Sequence, residues 1–111
     1  MQKMDKKMTN TLEQIKQVII DTCDPVQIIL FGSRARGDNR PDSDYDVMVI
    51  TNKKERHFKM SGDIHRQLFK KKVKYPVDVI FSTPVKFDEL CSSVGFIYKE
   101  IKKEGICIYG K

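Results

Sequence analysis

Residues 29–50 read Ile-Leu-Phe-Gly-Ser-Arg-Ala-Arg-Gly-Asp-Asn-Arg-Pro-Asp-Ser-Asp-Tyr-Asp-Val-Met-Val-Ile, and no other stretch restricts the fold as much. An apolar run closes on Gly32-Ser33, ten residues follow, and Asp44-Tyr45-Asp46 opens a second apolar run. A strand that turns at Gly-Ser into a helix start presents backbone N–H groups and a hydroxyl, a combination that suits a phosphate chain. Alone, the pair reads first as a tight turn with a helix N-cap. Asp44 and Asp46, at i and i+2 on a strand, point to the same face about 7 Å apart at their Cα atoms. Alone they read as solvated residues beside a turn at Pro41-Asp42-Ser43. Together the parts say more. Tyr45, Val47 and Val49 alternate with Met48 and Ile50, so the second run is apolar on both faces, as a central strand is. Two carboxylates at the mouth of such a strand cost desolvation unless cations or Arg compensate. Hard divalent cations take oxygen ligands. A phosphate cradle beside a metal-binding pair is the equipment for phosphoryl or nucleotidyl transfer.

A third acid belongs to the same picture. Tyr75-Pro-Val-Asp-Val-Ile-Phe81 is a β-rich run with Asp78 at its centre. A lone acid inside an apolar strand needs a partner. One reading is a buried ion pair with Arg34 or Arg36. The other sets this strand beside the 44–50 strand, so that three acids on two neighbours form a two-metal site.

The remaining elements favour the second geometry. Thr9 or Thr11 can cap a first helix with apolar positions Leu12, Ile15 and Ile19, ended by Asp24-Pro25. Strands are predicted over Val26–Phe31, Asp44–Thr51 and Val77–Phe81, with a helix from about Lys54 to Lys72 between the last two. A strand–helix–strand crossover of that length favours parallel pairing. Pro84 starts a further helix at its first position. Ser92 or Ser93 caps a last one through Val94, Ile97 and Ile101, stopped by Gly105. Ile106–Tyr109 is a candidate edge strand. The sum is an α/β fold: a small mixed β-sheet with helices packed on one face.

Gly32-Ser33, ten residues, Asp44-x-Asp46 and a later strand acid, Asp78, resemble the minimal nucleotidyltransferases of the DNA polymerase β superfamily. The Gly-Ser-Arg-Ala-Arg-Gly and Ser-Asp-Tyr-Asp wording strengthens the match, which runs from about Val26 to Phe81 and loosely to the C-terminus. The resemblance implies the polymerase β-like fold across a single domain, residues 1–111. It implies that Gly32 and Ser33 bind the nucleotide triphosphate, that Asp44 and Asp46 ligate two Mg²⁺ ions, and that Asp78 ligates the catalytic one and helps activate the attacking hydroxyl. The implied reaction moves AMP from ATP to a hydroxyl, releasing pyrophosphate. Relatives that modify antibiotics or tRNA carry an added domain that grips the acceptor; none is expected here, so a partner protein is expected to supply it. The resemblance points to a HEPN-domain RNase toxin, adenylylated by this chain as its antitoxin. The runner-up is a non-catalytic antitoxin or binding subunit that neutralises its partner by complex formation.

Composition sets outer limits. In 111 residues, 40% hydrophobic and 32% charged, one small core is expected. No apolar run approaches the ~20 residues that cross a bilayer, and the charged N-terminus lacks the apolar core of a signal peptide. Cys23, Cys91 and Cys107 are odd in number and far apart, which predicts core or helix-face positions in a reduced, cytoplasmic protein. His57 and His65, eight apart, predict surface or half-buried sites rather than a metal pair. The net charge of +6 is concentrated between Lys53 and Lys74. That run reads as a solvated helix face or as attraction for ATP or an acidic protein. No RNA-binding motif accompanies it, so an acidic protein ranks above nucleic acid.

Overall fold

The computed structural model describes residues 6–53, 56–92 and 96–110. Helix α1 (Lys6–Cys23) buries Met8, Leu12, Ile15, Val18, Ile19 and Cys23, the 3–4 spacing of a single apolar stripe. It begins earlier than either threonine. Thr11 lies inside it and donates its hydroxyl to the Lys7 carbonyl at 3.0 Å, as a mid-helix threonine does. Burial of Met8 one turn further back outweighs the capping preference. The helix stops at Asp24, with φ 48°, before Pro25.

Strand β1 (Gln27–Phe31) leads into the one-turn helix α2 (Ser33–Arg36), and β2 (Tyr45–Ile50) follows. Helix α3 (His57–Lys70) buries Met60, Ile64 and Leu68; Lys54 of its expected start lies outside the described residues. Its end is a Schellman arrangement: the Val73 N–H reaches the Leu68 carbonyl at 3.1 Å, the Lys72 N–H reaches that of Phe69 at 3.0 Å, and Lys72 has φ 61°. Strand β3 (Val77–Ser82) comes next. Thr83 then caps α4 (Pro84–Ser92), its hydroxyl accepting the Lys86 N–H at 3.3 Å. Ser92 is the last residue of α4 and donates to the Asp88 carbonyl, so it does not cap the next helix. Ser93 and Val94 lie outside the described residues. Helix α5 (Phe96–Glu104) and β4 (Ile106–Tyr109) complete the chain.

The strand order is β3-β2-β1-β4. β1 pairs antiparallel with β2 and β4, whereas β2 and β3 run parallel, as the crossover through α3 requires. The sheet is mixed and β4 is an edge, as expected. The placement of helices on one face needs correcting. Ile28, Leu30, Val47 and Val49 pack with residues of α1 and α3. Ile29, Met48 and Ile50 form a second cluster with Phe87, Cys91 and Ile101 of α4 and α5, on the opposite face. Each such side chain removed from water contributes on the order of 2 kcal/mol, which the central strand gains on both sides.

Cys23 and Cys91 are buried, Cys107 is exposed, and all three are free thiols. Burial raises the Cys23 thiol to about 11, against a small opposing pull from Lys53, so it stays protonated and inert. Among the described residues no helix is long and apolar enough to cross a membrane.

Candidate nucleotide and metal site

The site forms where β1 ends and β2 and β3 begin. β1 delivers Gly32 in a conformation with φ 77° and ψ −158°, which glycine adopts at little cost. The chain then winds into α2: the Ala35 and Arg36 N–H groups both reach the Gly32 carbonyl at 3.1 Å. Gly37, at φ 89°, closes the turn onto the Ser33 carbonyl at 2.8 Å. The N–H groups of Ser33 and Arg34 are the first-turn donors such a helix leaves over. Phe31, the residue before the glycine, stands opposite Asp46 in the ladder. A Cβ on Gly32 would consequently lie 3.2 Å from Asp46 Cγ and nearer still to its Oδ2. The glycine backbone and the carboxylate share one wall.

Asp46 stands directly opposite Asp78 in the parallel β2–β3 pair. Same-register residues on neighbouring strands share a face and sit about 4.8 Å apart. The electrostatics carry the mark of that closeness. Asp46 is pushed above the usual carboxylate range, first by burial, then by the charges of Asp78 and Asp44, and by a hydrogen bond to Asp78; Arg36 pulls weakly the other way. A cation set beside the two carboxylates would relieve that repulsion.

Neither arginine neutralises Asp78. Arg34 is 5% exposed and directed elsewhere, its Nε and Nη2 donating to the Ser43 and Pro41 carbonyls at 3.0 and 3.1 Å. Its guanidinium stacks 4.0 Å over the Tyr45 ring, with Tyr75 at 5.1 Å. Arg34 is thus the strut of the 40–43 turn that delivers Asp44, and its partners are carbonyls rather than the Asp78 carboxylate. Arg40 joins the same turn through its backbone, its N–H donating to Ser43 Oγ at 2.8 Å. Arg36 pairs with Asp38 at 3.1 Å and lies 3.9 Å from Glu104.

The burial expected of Asp78 is a correction: β3 is an edge strand, so Asp78 is exposed, as is Asp44. Among the described residues no three His, Cys, Asp or Glu side chains are drawn together tightly enough to clasp an ion unaided. The donor set still fits Mg²⁺, which keeps several waters and is commonly held by one or two carboxylates plus substrate phosphates. Sequence reasoning missed His65. Its ring lies 2.8 Å from the Ser61 carbonyl and 2.9 Å from that of Val77, tying α3 to the residue before Asp78. No spacing in the sequence signals that tie, because it spans two elements.

A family model described as polymerase beta, nucleotidyltransferase, matches residues 13–111. The chain belongs to this nucleotidyltransferase family. No curated protein matches it. A chain of a toxin–antitoxin complex crystallised with AMP-PNP superimposes with a TM-score of 0.61 at 18% identity, over 89% of this chain and 73% of that one. A candidate nucleotidyltransferase from Sulfolobus solfataricus superimposes at 0.57 and 18% identity, over 100% of this chain and 93% of that one. At such identities the likeness is one of fold. In this nucleotidyltransferase the Gly32-Ser33 turn and the strand residues Asp46 and Asp78 meet at one end of the sheet.

Proposed function

We propose that the chain is an antitoxin that transfers AMP from ATP to a hydroxyl of its toxin partner, an RNase of the HEPN class. The observation that carries the reading is the in-register pair Asp46 and Asp78, set against the Gly32 backbone. A protein that only masks a surface has little use for carboxylates that repel one another. The toxin–antitoxin likeness, with its adenine nucleotide, supports the same direction.

Asp44, Asp46 and Asp78 would hold two Mg²⁺ ions, which supply Lewis-acid activation of the acceptor and charge neutralisation at the leaving group. The chain's own groups do the rest. Ser33 and the N–H groups after Gly32 orient the β and γ phosphates. The acceptor oxygen bonds to the α-phosphorus, the bond from that phosphorus to the β-bridging oxygen breaks, and pyrophosphate leaves. The acceptor proton passes by way of Asp78 to water.

Donor labelling tests this. With Mg²⁺ present, ATP labelled at the α-phosphate should mark the partner and ATP labelled at the γ-phosphate should not. The reverse pattern would make the chain a kinase, and no label with either would leave a masking antitoxin.

A further inference from the structure

We propose that the outer face of α3 is a docking seam for an amphipathic helix of a partner protein, one whose flank is acidic. Phe58 and Phe69 are 95% and 83% exposed. They lie on one helix, eleven residues apart, which at 3.6 residues per turn returns to nearly the same direction about 16 Å along the axis. Gly62 and His65 fall between them on the same face, giving 58, 62, 65 and 69, the alternating four-and-three spacing by which one helix meets another. A Cβ built on Gly62 meets nothing within 4 Å, so the seam has an open gap between its two rings. At its far end Phe69 and Val73 line a hollow of about 430 Å³ with Lys70, Lys72 and Lys74, room for an apolar anchor. The buried stripe of α3, Met60, Ile64 and Leu68, faces the other way, so these rings contribute nothing to the core.

Charge selects the occupant. Lys59, Arg66 and Lys70 form a basic row beside the seam, and Asp63, the one acid of α3, pairs with Arg66 at 2.7 Å. A helix with Leu-like residues toward Phe58 and Phe69 and Glu or Asp beside them satisfies both features. A second copy of this chain would oppose basic row to basic row. Location ties the seam to the chemistry, since His65 at its centre is bonded to Val77, the residue before Asp78. The inference deepens the proposed function, resting on its reading of a protein acceptor, by assigning where that protein is held.

The test titrates the full chain into three labelled probes: a synthetic helix with Leu at the seam positions and Glu flanks, its Lys-flanked counterpart, and oligouridylate. The Glu helix is expected to bind about tenfold or more tighter than the Lys helix, with the gap narrowing as salt rises. Phe58→Ser/Phe69→Ser should weaken it about tenfold, and Lys59→Glu/Lys70→Glu should reverse the preference. Both double variants alter exposed side chains, and Mg–ATP binding measured on the same samples should be unchanged. Equal binding of the two helices, tightest binding of oligouridylate, self-association through the seam, or no effect of the Phe variants would each overturn the proposal. If the unsubstituted chain binds Mg–ATP but not the Glu helix, the seam alone fails; if it binds the Glu helix but not Mg–ATP, the proposed chemistry alone fails.

Discussion

Gly32 leaves no room for a side chain beside Asp46. A Cβ there would fall 3.2 Å from Asp46 Cγ, closer to Oδ2, and on a backbone with φ 77°. One missing atom therefore serves the turn and the acid together.

Gly32→Ala should accordingly cost more than a turn glycine normally does. A backbone at φ 77° and ψ −158° is essentially reserved for glycine and costs a residue with a Cβ about 1–3 kcal/mol, and the collision displaces the carboxylate as well. Urea unfolding should show at least that loss, and calorimetry should show Mg–ATP binding abolished. A variant of native stability that binds Mg–ATP normally would mean the approach is slack.

Asp46→Asn should stabilise the metal-free chain at neutral pH. An aspartate whose folded value lies above its ordinary 3.8 binds a proton more readily in the folded state. Its penalty is absent below 3.8, grows as pH rises through the folded value, and is constant above it. Solvent screening holds the gain from Asn to at most about 1 kcal/mol. Mg²⁺ should raise the Tm of the wild type and leave that of Asp46→Asn unmoved. A variant less stable than the wild type at pH 7 would contradict the reading of a carboxylate penalised by burial and by its acidic neighbours.

Arg34→Ala removes a buried cation that holds two carbonyls and covers Tyr45. The expected loss is about 3 kcal/mol, from the charged hydrogen bonds and the stacking contact. Arg34→Lys should recover only part of it, because an ammonium cannot span two carbonyls with a planar fork. Proteolysis should cut the 40–43 turn faster in both. A native cleavage rate in Arg34→Ala would remove the strut from the account.

These residues mark what the sequence could convey. The glycine-serine turn, the Asp-x-Asp and the strand acid were legible because each is a local pattern, and the crossover through α3 is long enough to force Asp78 beside Asp46. The second helical layer was not legible. α4 and α5 have nine residues each, too short to display a clear apolar stripe, and Met48 and Ile50 belong as well to a buried strand under either arrangement. Asp78 looked buried because its neighbours are apolar, whereas its strand lies at the sheet edge. The destination of Arg34, inward to carbonyls rather than to Asp78, depends on where the 40–43 turn lands, which a linear pattern does not encode.

The most direct test is the intact mass of the toxin partner after co-expression with this chain, read under denaturing conditions. A phosphodiester survives unfolding, so the account predicts a partner heavier by one AMP, and an unmodified partner when the chain carries Asp44→Ala/Asp46→Ala. A partner of unchanged mass, fully neutralised by wild type and double variant alike, would contradict it.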